Sequence, residues 1–310
     1  MNPTEQNEKI LAYYDVFTKQ HGIPPYHHQF IFDEVYSDNY RIHLDILFHD
    51  KGAPTVVFIP GTAGYSLLFG QVLYKIFEKG YNVVGIDPRG HGRSEGERGD
   101  YEFNDIVENI LSVVTYCRNK FNNKIALLGC SQGGIAAFYA CCRDTNITTA
   151  ICQPFADLGS KGIFRLTPYP TLFGALNNIG QSVVKRFPNY KIPITSYLPL
   201  DRERVPYYGT AKRYTEIDPW AITHVRLKTI TSLCYTPLPC KIEEVKTPIC
   251  VLQGASDRVF PLSYTEFLYN KLTCEKELIV LKGLHHGLFF EAPDRVVQSF
   301  LPWLDKQFNK

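Results

Sequence analysis

Residues 127–138 read LLGCSQGGIAAF, an apolar run that leads into glycines around a serine and then into a second apolar stretch. Gly129, Ser131 and Gly133 give the spacing Gly-x-Ser-x-Gly between a strand-like segment and a helix-like segment. Glycines on both sides of the serine permit a sharp turn and a close approach of the following helix, which a Cβ atom would obstruct. Such a turn can present the hydroxyl of Ser131 as a nucleophile, although a purely structural glycine-rich turn would show the same letters.

Strand-like and helix-like segments alternate on both sides of this turn. Unbroken apolar runs are typical of fully buried parallel strands, and their alternation with helical patterns predicts βαβ units. The six runs are APTVVFIPG, YNVVGIDPRG, NKIALLGCS, ITTAICQPF, TPICVLQGASD and KELIVLKG. Before them, QFIFDEVYS and YRIHLDILFH alternate like a hairpin, and residues 4–20 have helical spacing. The sequence therefore predicts an α/β fold with an eight-stranded, mostly parallel sheet flanked by helices.

The alternation stops after residue 157 and resumes at residue 247. We therefore predict a core formed by residues 1–157 and 247–310, and a cap segment formed by residues 158–246. The cap segment carries 13 Lys+Arg and 6 Asp+Glu, a balance of +7 in a chain whose net charge is +2. A solvated basic surface would explain this balance, and so would peripheral contact with anionic head groups or a membrane surface.

The overall composition excludes several classes of protein. A net charge of +2 gives no reason to expect a nucleic-acid partner. The nine cysteines are scattered without Cys-x-x-Cys pairs, which argues against a disulfide framework or a structural zinc site. No run approaches the roughly 18 apolar residues of a membrane span, and the polar N-terminal residues lack the apolar core of a signal peptide. We expect a soluble cytoplasmic protein without a metal or cofactor.

A nucleophilic serine needs a carboxylate that orients its base, and two aspartates are candidates. Asp257 follows a buried strand in PICVLQGASDRVFP, and Asp157 follows the preceding buried strand in PFADLG. Turns favour aspartate for structural reasons, so neither position is decisive alone. We prefer Asp257 because it gives the chain order serine, acid, histidine.

The base should lie after the last strand, where GLHHGLFFE supplies His285 and His286. We select His286, which directly precedes Gly287 in the loop before the final helix. An adjacent histidine pair could also indicate a metal site, but no third ligand follows at a fixed spacing. Ser131, Asp257 and His286 are thus the predicted catalytic residues.

Negative charge that develops on a substrate oxygen requires N–H groups already in position. The backbone N–H of Gln132, directly after the serine, is one candidate donor. The N–H of Thr62, in the loop FIPGTAGYS after the third strand, is the other. Gly61 and Gly64 suit a loop that turns its N–H groups toward a ligand.

Five motifs together resemble the α/β-hydrolases, and within them the serine aminopeptidase-like and monoglyceride lipase-like branch of lysophospholipases and carboxylesterases. They are FIPGTAGYS, GIDPRGHGRSEG, LLGCSQGG, LQGASDRVFP and GLHHGLFFE. The resemblance covers residues 40–157 and 247–308 and leaves the cap segment unmatched. In this family the Asp-x-Arg-Gly-His-Gly loop is mainly structural, which implies no catalytic role for His91. The chain departs from many relatives in having Pro60 where they carry histidine, which bears on the oxyanion donor.

The resemblance implies a serine hydrolase that cleaves carboxylic esters through an acyl-enzyme. The expected substrate is a small-molecule ester with an apolar acyl chain, such as an acylglycerol or a lysophospholipid. Ser131 in place of aspartate disfavours the dehalogenases and epoxide hydrolases of this superfamily. Thioesterases, peptidases and acyltransferases use the same three residues, and a non-catalytic ligand-binding protein on a hydrolase scaffold is the alternative of another class.

Overall fold

An eight-stranded sheet lies at the centre of the fold, in a computed structural model that describes residues 2–160 and 182–310. The strands are β1 (Ile31–Ser37), β2 (Tyr40–Leu47), β3 (Thr55–Ile59), β4 (Asn82–Asp87), β5 (Ile125–Cys130), β6 (Thr149–Gln153), β7 (Lys191–Pro193), β8 (Arg204–Val205), β9 (Gly209–Thr210), β10 (His224–Arg226), β11 (Ile249–Gly254) and β12 (Lys276–Leu281). Their order in the large sheet is β1-β2-β4-β3-β5-β6-β11-β12, and the pairs from β4 to β12 are parallel. The predicted fold class is confirmed.

The predicted hairpin forms one edge of this sheet. β1 pairs with β2, and β2 with β4, in antiparallel register. Asp38 and Asn39 make the turn with φ angles of 48° and 67°. Aspartate and asparagine tolerate this left-handed backbone, which a two-residue hairpin requires.

Helices cover both faces of the sheet. They are α1 (Pro3–His21), α2 (Gly70–Phe77), α3 (Phe103–Lys120) and α4 (Gln132–Arg143), followed by Ala211–Ile217, Leu227–Tyr235, Leu262–Tyr269, Leu288–Glu291 and Pro293–Phe308. The helix predicted over residues 4–20 is α1. It begins after Asn2, whose side chain accepts a hydrogen bond from the N–H of Glu5, and it ends before Gly22 at a left-handed φ of 63°. None of the helices within the described ranges is long and apolar enough to cross a membrane.

β5 shows why the central strands read as unbroken apolar runs. Ile125 and Leu127 belong to the hydrophobic cluster on one face of the sheet, whereas Ala126 and Leu128 belong to the cluster on the other. Because successive side chains of a strand point to opposite faces, both sets must be apolar when both faces are covered. The strand therefore holds its carboxyl end, where Ser131 follows, in a rigid position.

The cap segment runs between β6 and β11, and its boundaries stay a prediction. Its residues 161–181 lie outside the described ranges. In the described part, β7 pairs with β10 and β8 with β9, both antiparallel. The N–H of Ile222 donates to the oxygen of Ala63, and the N–H of Arg226 donates to that of Gly99. The described part of the segment thus packs on the loops that follow β3 and β4.

The Asp-x-Arg-Gly-His-Gly loop after β4 is a buried structural unit. The Arg93 guanidinium is fully buried and pairs with Asp45 and Asp87. His91 is also buried, and its Nδ1 lies 2.9 Å from the backbone oxygen of Arg89. Burial lowers the pKa of His91 to about 4, so its imidazole is neutral at physiological pH. These contacts fit the structural role that the family resemblance implies for His91.

Candidate active site

Ser131 occupies a strained turn at the carboxyl end of β5. Its φ of 53° and ψ of −120° are unusual for a residue other than glycine. Three hydrogen bonds hold this backbone, since the N–H of Ser131 donates to the backbone oxygen of Gln153 and its carbonyl accepts from the N–H groups of Gly134 and Ile135. Such a strained backbone persists only where its surroundings fix it, and it clusters at functional sites.

The glycines beside Ser131 permit the close approach of α4. A Cβ atom on Gly133 would lie 2.2 Å from the backbone oxygen of Ile59. A Cβ atom on Gly129 would lie 2.2 Å from the backbone oxygen of Gly133. Because both contacts are with backbone atoms, larger residues at these two positions would displace the turn.

His286 joins the serine to an aspartate. Its Nε2 lies 2.9 Å from Oγ of Ser131, and its Nδ1 lies 2.8 Å from Oδ2 of Asp257. The other carboxylate oxygen of Asp257 accepts the backbone N–H groups of Val259 at 2.8 Å and Phe260 at 2.9 Å. The carboxylate is therefore fixed, and it can hold the proton of the imidazole on Nδ1 so that Nε2 faces the serine.

The structure separates the alternative candidates that the sequence leaves open. Asp157 receives backbone N–H groups of Gly159 and Ser160, so it organises its own turn after β6. The side chain of His285 is 43% exposed, and its Nδ1 lies 3.1 Å from Oε2 of Glu291. Of the two candidate aspartates and the two candidate histidines, the fold brings Asp257 and His286 to Ser131.

The charge on His286 is controlled by buried carboxylates. Burial lowers its pKa, but the adjacent Asp257, with smaller contributions from Glu203 and Glu291, raises the pKa above its ordinary value overall. Glu203 comes from the cap segment and is 7% exposed. One of its oxygens accepts the N–H of Gly287, while Oε2 is buried without a partner in the described residues. Burial also raises the pKa of Glu203 itself.

Thr62 and Gln132, the two predicted oxyanion donors, belong to adjoining elements. Oγ1 of Thr62 donates to Oε1 of Gln132 at 2.8 Å, and the hydroxyl of Tyr101 donates to the same oxygen at 3.0 Å. A Cβ atom on Gly61 would lie 3.2 Å from Cβ of Ser131, so the loop passes directly beside the serine. As the first residue of α4, Gln132 has a backbone N–H without an intrahelical partner.

The sequence does not predict the contributions of Glu203, Tyr101 and Gln153 to this site. Glu203 lies in a segment whose motifs match no family pattern. No motif predicts the hydrogen bond between Tyr101 and the side chain of Gln132, because these residues are 31 positions apart. Gln153 supports the site twice: its backbone oxygen accepts the N–H of Ser131, and its Nε2 donates to the backbone oxygen of His286 at 2.8 Å.

Comparison with known proteins extends these observations. The sequence model of a family described as serine aminopeptidase S33 matches residues 50–293, a range that includes Ser131, Asp257 and His286. An uncharacterized 31.7 kDa protein of Escherichia coli is 26% identical over 266 residues, which are 82% of this chain and 91% of that protein. A monoglyceride lipase homolog of monkeypox virus is 23% identical over 253 residues, which are 79% of this chain and 86% of that protein. The solved structure of a monoacylglycerol lipase from Paleococcus ferrophilus has a TM-score of 0.66 at 21% identity and covers 83% of this chain and 96% of its own.

Proposed function

We propose that this chain, which belongs to the serine aminopeptidase S33 family of α/β-hydrolases, cleaves carboxylic esters through an acyl-enzyme on Ser131. The family and the fold support an enzyme of the α/β-hydrolase type. The observation that carries the proposal is the chain of two hydrogen bonds from Ser131 through His286 to Asp257. A serine hydroxyl is a weak nucleophile at neutral pH, and these are the contacts that activate it.

Each of the three residues has a distinct chemical role in this proposal. Oγ of Ser131 attacks the ester carbonyl while Nε2 of His286 takes its proton. His286 then returns that proton to the departing alcohol, which leaves the acyl group on Ser131. Water attacks the acyl-enzyme with His286 again as base, and the acid and free Ser131 are released. Asp257 remains ionised throughout and stabilises the imidazolium.

The oxyanion of the tetrahedral intermediate is proposed to bind the backbone N–H groups of Gln132 and Thr62. The position of the Thr62 loop beside Ser131 supports this assignment. The hydrogen bond between the Thr62 and Gln132 side chains fixes the loop to α4, so the donors need no rearrangement during the reaction. Removal of one such donor typically lowers kcat by about 10²- to 10³-fold.

For the substrate we propose an ester with an apolar acyl chain, such as an acylglycerol or a lysophospholipid. Support for this class comes from the family and its relatives. A small apolar cavity near the segment that follows His286 is lined by Phe17, Leu68, Tyr207 and Phe290 among others, but Ser131 and His286 do not line it. The monoglyceride lipase homolog among the relatives is in keeping with the same chemistry.

A panel of substrates tests this choice of bond and acyl chain. We expect p-nitrophenyl esters and 1-monoacylglycerols to be cleaved, with kcat/KM rising from acetyl to longer acyl chains because apolar surface is buried. Matched acyl thioesters and p-nitroanilides should react more slowly, and Ser131→Ala supplies the blank for each substrate. A preference of tenfold or more for a thioester or an anilide would replace the esterase proposal by a thioesterase or a peptidase.

The pH dependence of kcat/KM should report the raised pKa of His286. The base must be neutral to accept a proton, so activity rises as His286 deprotonates, with a midpoint above its ordinary pKa of about 6.5. Glu203→Gln keeps a hydrogen-bond acceptor for Gly287 but removes a negative charge that favours the imidazolium. We therefore expect the rise of kcat/KM with pH to occur at lower pH in Glu203→Gln than in the wild type, as measured with a short p-nitrophenyl ester.

Glu216→Gln is the matched control, since Glu216 is an exposed glutamate of the same cap segment. Its pH profile should coincide with that of the wild type. Coincidence of the Glu203→Gln and wild-type profiles would contradict the electrostatic role of Glu203.

Contact of the basic cap segment with an anionic lipid surface stays a prediction. Part of its charge is already neutralised, since Arg226 and Lys191 pair with Glu97, and Lys228 pairs with Asp100. Salt-sensitive binding of the protein to vesicles that contain phosphatidylserine would support this contact, and absence of binding would contradict it.

A further inference from the structure

We propose that Asp15, His27 and His28 form a binding site for a divalent transition-metal ion such as Zn²⁺, separate from the catalytic residues. Asp15 lies on α1, and the two histidines lie on the short 3₁₀ helix Tyr26–Gln29 that follows it. A carboxylate oxygen and two imidazole nitrogens from these elements all lie within 4.8 Å of one another. Carboxylate and imidazole are common zinc ligands in this combination.

Both imidazole nitrogens lie within hydrogen-bond distance of one carboxylate oxygen. Nε2 of His27 lies 2.9 Å from Oδ1 of Asp15, and Nε2 of His28 lies 2.7 Å from the same oxygen. Without a metal, two N–H groups therefore share one oxygen. Ligand atoms around a tetrahedral zinc ion are about 3.3 Å apart, given bond lengths of about 2.0–2.2 Å. An opening of about half an ångström would thus convert the hydrogen-bonded cluster into a coordination sphere.

The three side chains differ in how freely they can make this adjustment. The side chain of His27 is fully buried, and its ring lies beside those of Tyr14 and Tyr26 at centroid distances of 5.9 and 6.0 Å. The side chains of Asp15 and His28 are 53% and 49% exposed. A fixed ligand thus combines with two adjustable ones, and the open side leaves room for water as a fourth ligand.

The protonation of His27 is compatible with metal binding. To coordinate through Nε2, a neutral imidazole must carry its proton on Nδ1. Nδ1 of His27 is buried and has no hydrogen-bond partner among the described residues. The change of tautomer therefore breaks no hydrogen bond at that atom.

The donor set also predicts which metals bind. Two imidazole nitrogens favour Zn²⁺, Co²⁺ or Ni²⁺, whereas Mg²⁺ prefers oxygen ligands and retains its water. Asp15 precedes His27 by 12 positions, which matches no zinc-motif spacing, so only the packing of α1 on the 3₁₀ helix assembles the site. A bound ion would join these two elements and stabilise the docking of α1.

Isothermal titration of the full chain with ZnCl₂ tests the proposal. We expect saturable binding of one ion by the wild type, and affinity at least about tenfold lower in both His28→Ala and Asp15→Ala. His224→Ala, which removes an exposed histidine elsewhere, should bind like the wild type, and MgCl₂ should give no binding. Zn²⁺ should also raise the Tm of the wild type and of His224→Ala but not of the other two variants.

The proposal is overturned if wild type shows no saturable binding of Zn²⁺, or if His28→Ala and Asp15→Ala bind it as tightly as wild type does. Because Asp15 and His28 are exposed, their replacement should leave the fold intact, and circular dichroism of each variant verifies this. Ester hydrolysis plays no part in the readout, so the result is independent of the proposed catalytic function.

Discussion

Ser131→Ala is expected to lower kcat/KM for p-nitrophenyl butyrate by about 10⁵- to 10⁶-fold, the scale seen when a catalytic serine is removed from other serine hydrolases. The physical reason is that no other described hydroxyl is hydrogen-bonded to Nε2 of His286. Alanine removes only Oγ and keeps the Cβ atom. The variant should therefore retain the Tm and circular dichroism spectrum of wild type, apart from the small effect of one hydrogen bond.

Ser112→Ala provides the control for this experiment. Ser112 is a half-buried serine on α3, and alanine is well suited to a helix. Its activity should remain within about twofold of wild type, since surface and helix substitutions of this kind are usually mild. Full esterase activity in Ser131→Ala would mean that a group other than Ser131 is the nucleophile.

Asp257→Asn is expected to lower kcat by about 10⁴-fold while the protein stays folded, as the corresponding change does in other Ser-His-Asp enzymes. Asparagine can still bond to Nδ1 of His286, but its NH₂ group favours the tautomer with the proton on Nε2. That proton then faces Ser131, and the imidazole is unable to act as a base. Steady-state kinetics with the same butyrate ester measure this effect.

Asp157→Asn is the matched control, because Asp157 also follows a strand of the sheet and is the other aspartate that the sequence offers as the acid. It organises a turn and should therefore remain within about twofold of wild-type activity. A large loss in Asp157→Asn together with an active Asp257→Asn would reverse the assignment of the acid.

Much of the fold was predictable because local patterns coincide with what the sheet demands. β5 reads as an unbroken apolar run since both of its faces are covered, and the hairpin turn at Asp38 and Asn39 uses residues that tolerate a positive φ. Ser131 was identifiable because its strained turn requires glycines at fixed neighbouring positions. These signals are local, so the sequence displays them directly.

The remaining features depend on contacts between distant segments. Glu203 reaches the loop of His286 from the cap segment, 83 positions earlier, and no periodicity marks it. Tyr101 and Thr62 meet on one oxygen of Gln132 only after the sheet has formed. The cluster of Asp15 with two histidines likewise requires α1 to fold back on the 3₁₀ helix. A single sequence contains no pattern for such pairings.

If Ser131 is an activated nucleophile, treatment of the wild type with a fluorophosphonate should modify it covalently, and peptide mass spectrometry locates the adduct. We expect one phosphonyl group per chain, on Ser131, with no labelling of Ser131→Ala and slowed labelling of Asp257→Asn. A folded wild type that carries the label at another residue would show that Ser131 is not the nucleophile, and one that remains unlabelled would favour a non-catalytic ligand-binding protein on this scaffold.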